Sequence, residues 1–175
     1  MKLIIVRHAE SIANSKKISQ ANRDEWADTP LTEKGLIQAK AVAKRLKDED
    51  IEIIYCSTLK RAKETAQEIN KFHNVEIKYN SRLIDNINDE PLEDFISRCN
   101  QSFKEIEKAD KNAIIVVHGS VCLTLLAFTK ASREEGDKII KEHTNRYGNT
   151  CVSFVEKVKG KYQIKLVACR KHLEN

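Results

Sequence analysis

Two histidines in this sequence each lie at the end of a short apolar run. An imidazole in that position can act as a nucleophile or move a proton. The first run ends at Arg7 and His8, and the second ends at His118 and Gly119. Both runs are rich in β-branched residues, which predicts buried strands. One histidine at a strand end is usually structural or solvated. Two at the carboxyl ends of parallel strands favour one shared ligand site, because those ends face a common crevice.

Three further residues are candidates for binding an anionic ligand in that crevice. Gly119 lets the backbone approach a ligand and leaves N–H groups free where a helix starts. Small and polar residues follow His8, among them Asn14. Arg61 lies one turn into a later predicted helix, and taken alone it reads as a solvated surface arginine.

The bulk composition predicts one soluble globular domain, spanning residues 1–175. Hydrophobic residues make up 41% of the chain and charged residues 33%. The net charge of +5 favours anionic ligands. The sequence has no run of basic residues with interleaved aromatic ones, so we expect no nucleic-acid partner. The sequence specifies no oligomeric state.

The cysteines and the N-terminus predict a cytoplasmic protein. The five cysteines are scattered and form no Cys-x-x-Cys pair, which argues against a disulfide framework and against a zinc site. The first apolar run is too short for a signal peptide, and no run approaches a membrane-spanning length. We therefore expect no membrane partner.

Strands alternate with helices as far as residue 128, which predicts right-handed βαβ crossovers. The expected fold is α/β and doubly wound, with a mostly parallel sheet, helices on both faces and a C-terminal antiparallel hairpin at the edge. Residues 80–112 are the one segment that could form a small lid. Helices are predicted over 32–48, 57–72, 92–109, 121–128 and from 132. Strands are predicted over 3–6, 51–56, 75–79, 113–117, 150–158 and 162–168. Ser57 is expected to cap the second helix, and Ser132 the last.

The ordered motifs resemble those of the histidine phosphatase superfamily, which includes cofactor-dependent phosphoglycerate mutases and related small phosphatases. They span residues 1–155, and Ala9 replaces the family's usual glycine. The motifs are Arg7-His8-Ala9-Glu10-Ser11 with Asn14, Leu31-Thr32-x-x-Gly35-x-x-Gln38-Ala39, Ser57-x-Leu59-x-Arg61-Ala62-x-x-Thr65-Ala66, Val117-His118-Gly119 and Asn149-Thr150-Cys151-Val152.

The resemblance implies a phosphohistidine mechanism on a small phosphate ester, with no cofactor and no metal. His8 would attack the phosphoryl group as a neutral ring. Preorganised donors must then meet the charge on the transferred group's oxygens. The matching positions are Arg7, Asn14, Arg61, His118 and the Gly119 N–H. Glu10 is interpreted as a structural acid.

The acid that protonates the leaving group is the weakest part of the match. The family has a glutamate two residues after a leucine, whereas this chain has Asp85 after Leu83. Asp89 and Glu90 in the same loop are alternatives to Asp85.

Hydrolysis is the favoured activity, because mutases are generally longer and need a site that excludes water. The alternatives are mutase-type transfer, a protein phosphohistidine phosphatase and a phosphate-binding module without catalysis.

Overall fold

The computed structural model of the protein describes residues 1–16, 28–86 and 90–174. The strands in these residues are β1 (Lys2–Arg7), β2 (Ile53–Ser57), β3 (Glu76–Asn80), β4 (Ala113–Val117), β5 (Val152–Val158) and β6 (Lys161–Cys169). The α-helices are α1 (Ile12–Ser15), α2 (Glu33–Leu46), α3 (Lys60–His73), α4 (Leu92–Ala109), α5 (Gly119–Phe128) and α6 (Arg133–His143). Short 3-10 turns lie at Ser81–Leu83, Thr144–Arg146 and Lys171–Leu173.

The strands form one mixed sheet in the order β3-β2-β4-β1-β5-β6. The first four strands of that order are parallel, while β5 pairs antiparallel with β1 and with β6. The predicted fold class is therefore confirmed, including the C-terminal hairpin at the edge. Parallel pairing matters for the site because it brings the carboxyl ends of β1, β2 and β4 to the same edge of the sheet.

Helices cover both faces of the sheet, because successive side chains of a strand point in opposite directions. On β1, Leu3 and Ile5 pack into one apolar cluster with α4 and α5. Ile4 and Val6 pack into a second cluster with α2 and α3. A strand buried on both sides needs a continuous apolar run, which the sequence of β1 supplies.

Two helix starts differ from the prediction. Ser57 is the last residue of β2 and does not cap α3, which begins at Lys60 with Leu59 as its N-cap residue. That prediction was wrong, and the serine hydroxyl has a different partner, described below. Helix α5 begins at Gly119, two residues earlier than predicted, so the glycine lies in its first turn.

Helix α4 is part of the core rather than a cover over it. Its buried face contains Phe95, Cys99 and Phe103, which join the cluster on one side of the sheet. Leu92 at its start is 64% exposed and lines a cleft that is described with the active site below. No helix in the described ranges is both long and apolar enough to cross a membrane. The five cysteines are all free thiols.

Candidate active site

His8 leaves β1 beside β4, and its ring is fixed by the backbone. The parallel register pairs Arg7 with Val117, so His8 and His118 leave neighbouring strands at the same level. The His8 ring is 2% exposed, and its Nδ1 lies 2.7 Å from the Ala9 carbonyl oxygen. Because a carbonyl only accepts, Nδ1 carries the proton and Nε2 carries the lone pair.

The surroundings of His8 keep its ring neutral. Burial holds the pKa of His8 well below its ordinary value, and the positive charges of Arg61 and Arg7 lower it further. The Nε2 atom accepts a hydrogen bond from Arg61 Nε at 3.2 Å. The reactive nitrogen therefore points at a guanidinium group that attracts anions.

Arg61 is 1% exposed, so its interpretation as a solvated surface arginine is wrong. Burial lowers its pKa to about 10, which leaves it charged at neutral pH. Thr65 on the same helix ties α3 to the loop after β1. Its hydroxyl donates to the Arg61 carbonyl at 2.7 Å and accepts from the Ala9 N–H at 3.0 Å.

His118 stands beside His8 and is also neutral. The two ring centroids are 5.0 Å apart with an interplanar angle of 59°. Burial, with the positive charges of Arg61 and Arg7, holds the pKa of His118 well below its ordinary value. Its Nε2 lies 2.8 Å from the Ser57 hydroxyl, and its buried Nδ1 has no hydrogen-bond partner among residues 1–16, 28–86 and 90–174.

Ser57 therefore bonds to the His118 ring instead of capping a helix. When the hydroxyl donates to Nε2, the proton of a neutral ring lies on Nδ1. The Nδ1–H then becomes a donor for an anion. The sequence places Ser57 at the end of one strand and His118 directly after another. Only the strand order, in which β2 and β4 are adjacent, makes the two residues neighbours.

Arg7 and Gly119 meet at the start of α5. Arg7 Nη1 donates to the Tyr147 carbonyl oxygen. A Cβ added at Gly119 would lie 3.7 Å from Arg7 Nε, in ordinary contact. Gly119 does not have a positive φ either, so neither its backbone conformation nor a clash requires glycine at this position. The N–H groups of this first helical turn provide a place for an anion.

Asn14 is oriented by a residue that the sequence reasoning did not assign to the site. Its Oδ1 accepts from the Ser11 N–H and from Asn149 Nδ2, both at 3.2 Å. Asn149 Nδ2 also lies 3.1 Å from the His8 carbonyl oxygen. With Oδ1 engaged, the Asn14 amide NH₂ is the group left to donate to a ligand.

The second motif holds the loop that follows His8. An added Cβ at Gly35 would lie 1.9 Å from the Glu10 carbonyl oxygen, so only glycine fits there. The Thr32 N–H donates to the same carbonyl at 3.0 Å, and Gln38 accepts from the Glu10 N–H at 2.9 Å. Ala9 lies outside the positive-φ region, which explains why this loop accepts alanine in place of glycine.

Asp85 faces the same site from the loop after β3. The Ser120 hydroxyl donates to its Oδ1, which also accepts from the Asn86 N–H at 3.0 Å. Burial raises the pKa of Asp85 above its ordinary value, although Ser120 and the charge of Arg61 oppose that shift. Of the two alternatives, Glu90 is paired with Arg98, and Asp89 lies outside the described residues.

A cleft of about 1270 Å³ opens beside the site, and Arg7, Asp85, Gly119 and Ser120 line it. Residues of α4, α5 and α6 also line the cleft, and they include both polar and apolar side chains. The apolar ones include Leu92, Ile96, Leu123, Phe128 and Ile140.

Comparison with known proteins decides the family. The model of the histidine phosphatase superfamily (branch 1) matches residues 3–89. The uncharacterized phosphatase PhoE of Bacillus subtilis is 30% identical over an alignment of 193 positions, covering 97% of this chain and 95% of that protein. The chain belongs to the histidine phosphatase superfamily. The resemblance carried by the motifs is thus confirmed.

Other matches are partial in sequence or distant in identity. A probable phosphatase of Schizosaccharomyces pombe is 42% identical over 65 residues, which cover 37% of this chain and only 29% of that protein. The crystal structure of a phosphoglycerate mutase from Bacillus anthracis superposes with a TM-score of 0.78 at 20% identity, covering 99% of this chain and 95% of that one. This histidine phosphatase homologue therefore shares its fold with both phosphatases and mutases.

Proposed function

We propose that this protein hydrolyses small phosphomonoesters through a phosphohistidine on His8. The single observation that carries the proposal is the state of the His8 ring, with Nδ1–H on the Ala9 carbonyl and Nε2 facing Arg61. Nε2 attacks phosphorus while the bond from phosphorus to the ester oxygen breaks. Water then attacks the phosphorus, the P–N bond breaks, and inorganic phosphate leaves.

Five further donors form the proposed cradle for the transferred group. Arg7 and Arg61 supply positive charge, and the arginine fork suits phosphate oxygens better than a lysine does. Asn14, the His118 Nδ1–H and the Gly119 N–H supply neutral donors. Such groups stabilise the transition state because they already point at the developing charge before the reaction.

Asp85 is the proposed general acid and base. Its carboxyl gives a proton to the leaving oxygen in the first step and takes one from water in the second. A raised pKa serves the first step, since the protonated form then persists nearer to neutral pH. Asp85 lines the cleft together with Arg7, whereas Glu90 is paired with Arg98, which supports this role for Asp85 over Glu90.

Hydrolysis is supported over mutase-type transfer by the cleft and by the full-length relative. A mutase must keep water from the phosphoenzyme, whereas this cleft exceeds the ~300–1000 Å³ of typical ligand pockets. The relative matched along nearly its whole length is named a phosphatase. The cleft leaves room for water beside a small substrate.

Turnover of an aryl phosphate in buffer containing EDTA tests this proposal. We expect hydrolysis at an undiminished rate after chelation, because the described residues supply the nucleophile, the donors and the acid. A panel of phosphorylated metabolites, sugars and phosphohistidine peptides then ranks the substrates. Absence of turnover with every ester would favour a phosphate-binding module.

Arg61→Ala is expected to lower kcat by about 10²–10³, the scale for losing one preorganised donor. The physical reason is that Arg61 alone of the cradle contacts the reacting nitrogen of His8. Competitive inhibition by vanadate should weaken in parallel. Lys63→Ala, two residues further along α3, is the matched control and should behave like the wild type. Unchanged vanadate inhibition in Arg61→Ala would remove Arg61 from the cradle.

A further inference from the structure

Arg98 on α4 binds the main chain that carries Asp85. Its side chain is 15% exposed. Nη1 donates to the carbonyl oxygens of Arg82 at 2.8 Å and Ile84 at 2.7 Å, and Nη2 donates to the carbonyl of Asp85 at 2.9 Å. These carbonyls lie in a turn where neither a strand nor an α-helix supplies partners, so one side chain satisfies three carbonyls of the turn.

Glu90 in turn fixes the orientation of Arg98. Its carboxylate accepts from Nε at 2.6 Å and from Nη2 at 2.7 Å, which is a bidentate pair. With these two bonds, all five N–H donors of the guanidinium are engaged. A planar group with every donor engaged has a single orientation, so the turn is tied firmly to α4.

We propose that Arg98, oriented by Glu90, is a positioning residue for Asp85. Arg98 on α4 holds the Asp85 carbonyl, while Ser120 on α5 holds the carboxylate, so two helices fix the two ends of one residue. An aspartate cannot compensate for a displaced backbone as a longer glutamate can. A misplacement of about 1 Å at a reacting group can cost about 10²-fold in rate. The inference rests on the proposed function of Asp85.

A nearby ion pair shows what a merely structural contact looks like. Arg82 pairs with Glu105 at 2.6 Å and also joins the turn to α4. The two side chains are 39% and 49% exposed, and the Arg82 guanidinium holds no carbonyl of the turn among the described residues. Exposed pairs of this kind contribute little, so Arg82 provides the matched control for Arg98.

The test compares kcat/KM for an aryl and an alkyl phosphate, because this constant reports the steps up to release of the alcohol. In Arg98→Ala we expect kcat/KM for the alkyl ester to fall at least about tenfold more than kcat/KM for the aryl ester. The reason is that only the alkoxide leaving group needs a proton from the acid. Arg98→Lys should show the same selective loss, because an ammonium has three donors in place of a fork. Arg82→Ala should change neither constant more than about twofold.

Equal losses on the two esters would show that Arg98 only supports the fold and would overturn the inference. If Arg98→Ala fails to fold, Arg98→Lys carries the same comparison. Failure of the proposed function is a separate outcome. It would appear as a wild-type protein that turns over no ester, or that keeps its activity in His8→Ala, before any Arg98 variant is compared.

Discussion

His8→Ala is expected to reduce turnover of every phosphate ester by at least about 10⁴-fold, because no later step can occur unless His8 accepts the phosphoryl group. Steady-state assays with an aryl phosphate measure this loss. The donors of the cradle remain in the variant, so inorganic phosphate should still bind with an affinity near that of the wild type. Loss of turnover with retained phosphate binding separates chemistry from binding.

His73→Ala is the control for removing a histidine. His73 lies in the last turn of α3, at the end remote from Arg61, and has no part in the proposed mechanism. We expect wild-type turnover from it. If His8→Ala kept even a tenth of the wild-type rate, His8 would not be the nucleophile.

Asp85→Asn is expected to separate substrates by the quality of their leaving groups. An aryl phosphate releases a phenolate that needs little help, so its kcat/KM should fall only slightly. An alkyl phosphate releases a poor alkoxide, so its kcat/KM should fall by about 10²–10⁴, the usual cost of losing a general acid. With aryl substrates, loss of water activation should also let the phosphoenzyme accumulate, which a burst of phenolate would report.

The pH dependence gives the same residue a second signature. The acid must be protonated in the first step, so kcat/KM for an alkyl ester falls as pH rises through the pKa of Asp85. Burial places that pKa above the ordinary value, and Asp85→Asn should erase this limb of the profile. Asp89→Asn is the control and should keep it. If Glu90→Gln erased the limb while Asp85→Asn kept it, Glu90 would be the acid.

The sequence was sufficient to predict the strand ends and the pair of histidines. Apolar runs that stop at His8 and at His118 predict two parallel strands, and parallel pairing puts both rings at one edge. The family motifs added Arg61, which composition and periodicity alone leave on the surface. The structure buries Arg61 because the first turns of α3 pack against the loop after β1. The Thr65 hydroxyl makes this contact, since it accepts from the Ala9 N–H and donates to the Arg61 carbonyl.

Contacts that depend on the path of a loop or on strand order could not be predicted. Ser57 looks like a helix cap in sequence, and only the adjacency of β2 and β4 turns its hydroxyl towards His118. Arg98 and Glu90 look like ordinary charged residues of a helix and a loop. Their role depends on where the turn that carries Asp85 lies against α4, and residue types do not encode that position.

The most direct test of the central claim is to identify the residue that carries the phosphoryl group during turnover. The wild-type protein is mixed with a radiolabelled phosphate ester, denatured at alkaline pH within one turnover, digested and mapped. We expect the label on the peptide that contains His8, stable in base and released in acid, and no label in His8→Ala. Label on Ser11 or on a cysteine, or an active enzyme that never becomes labelled, would contradict the account.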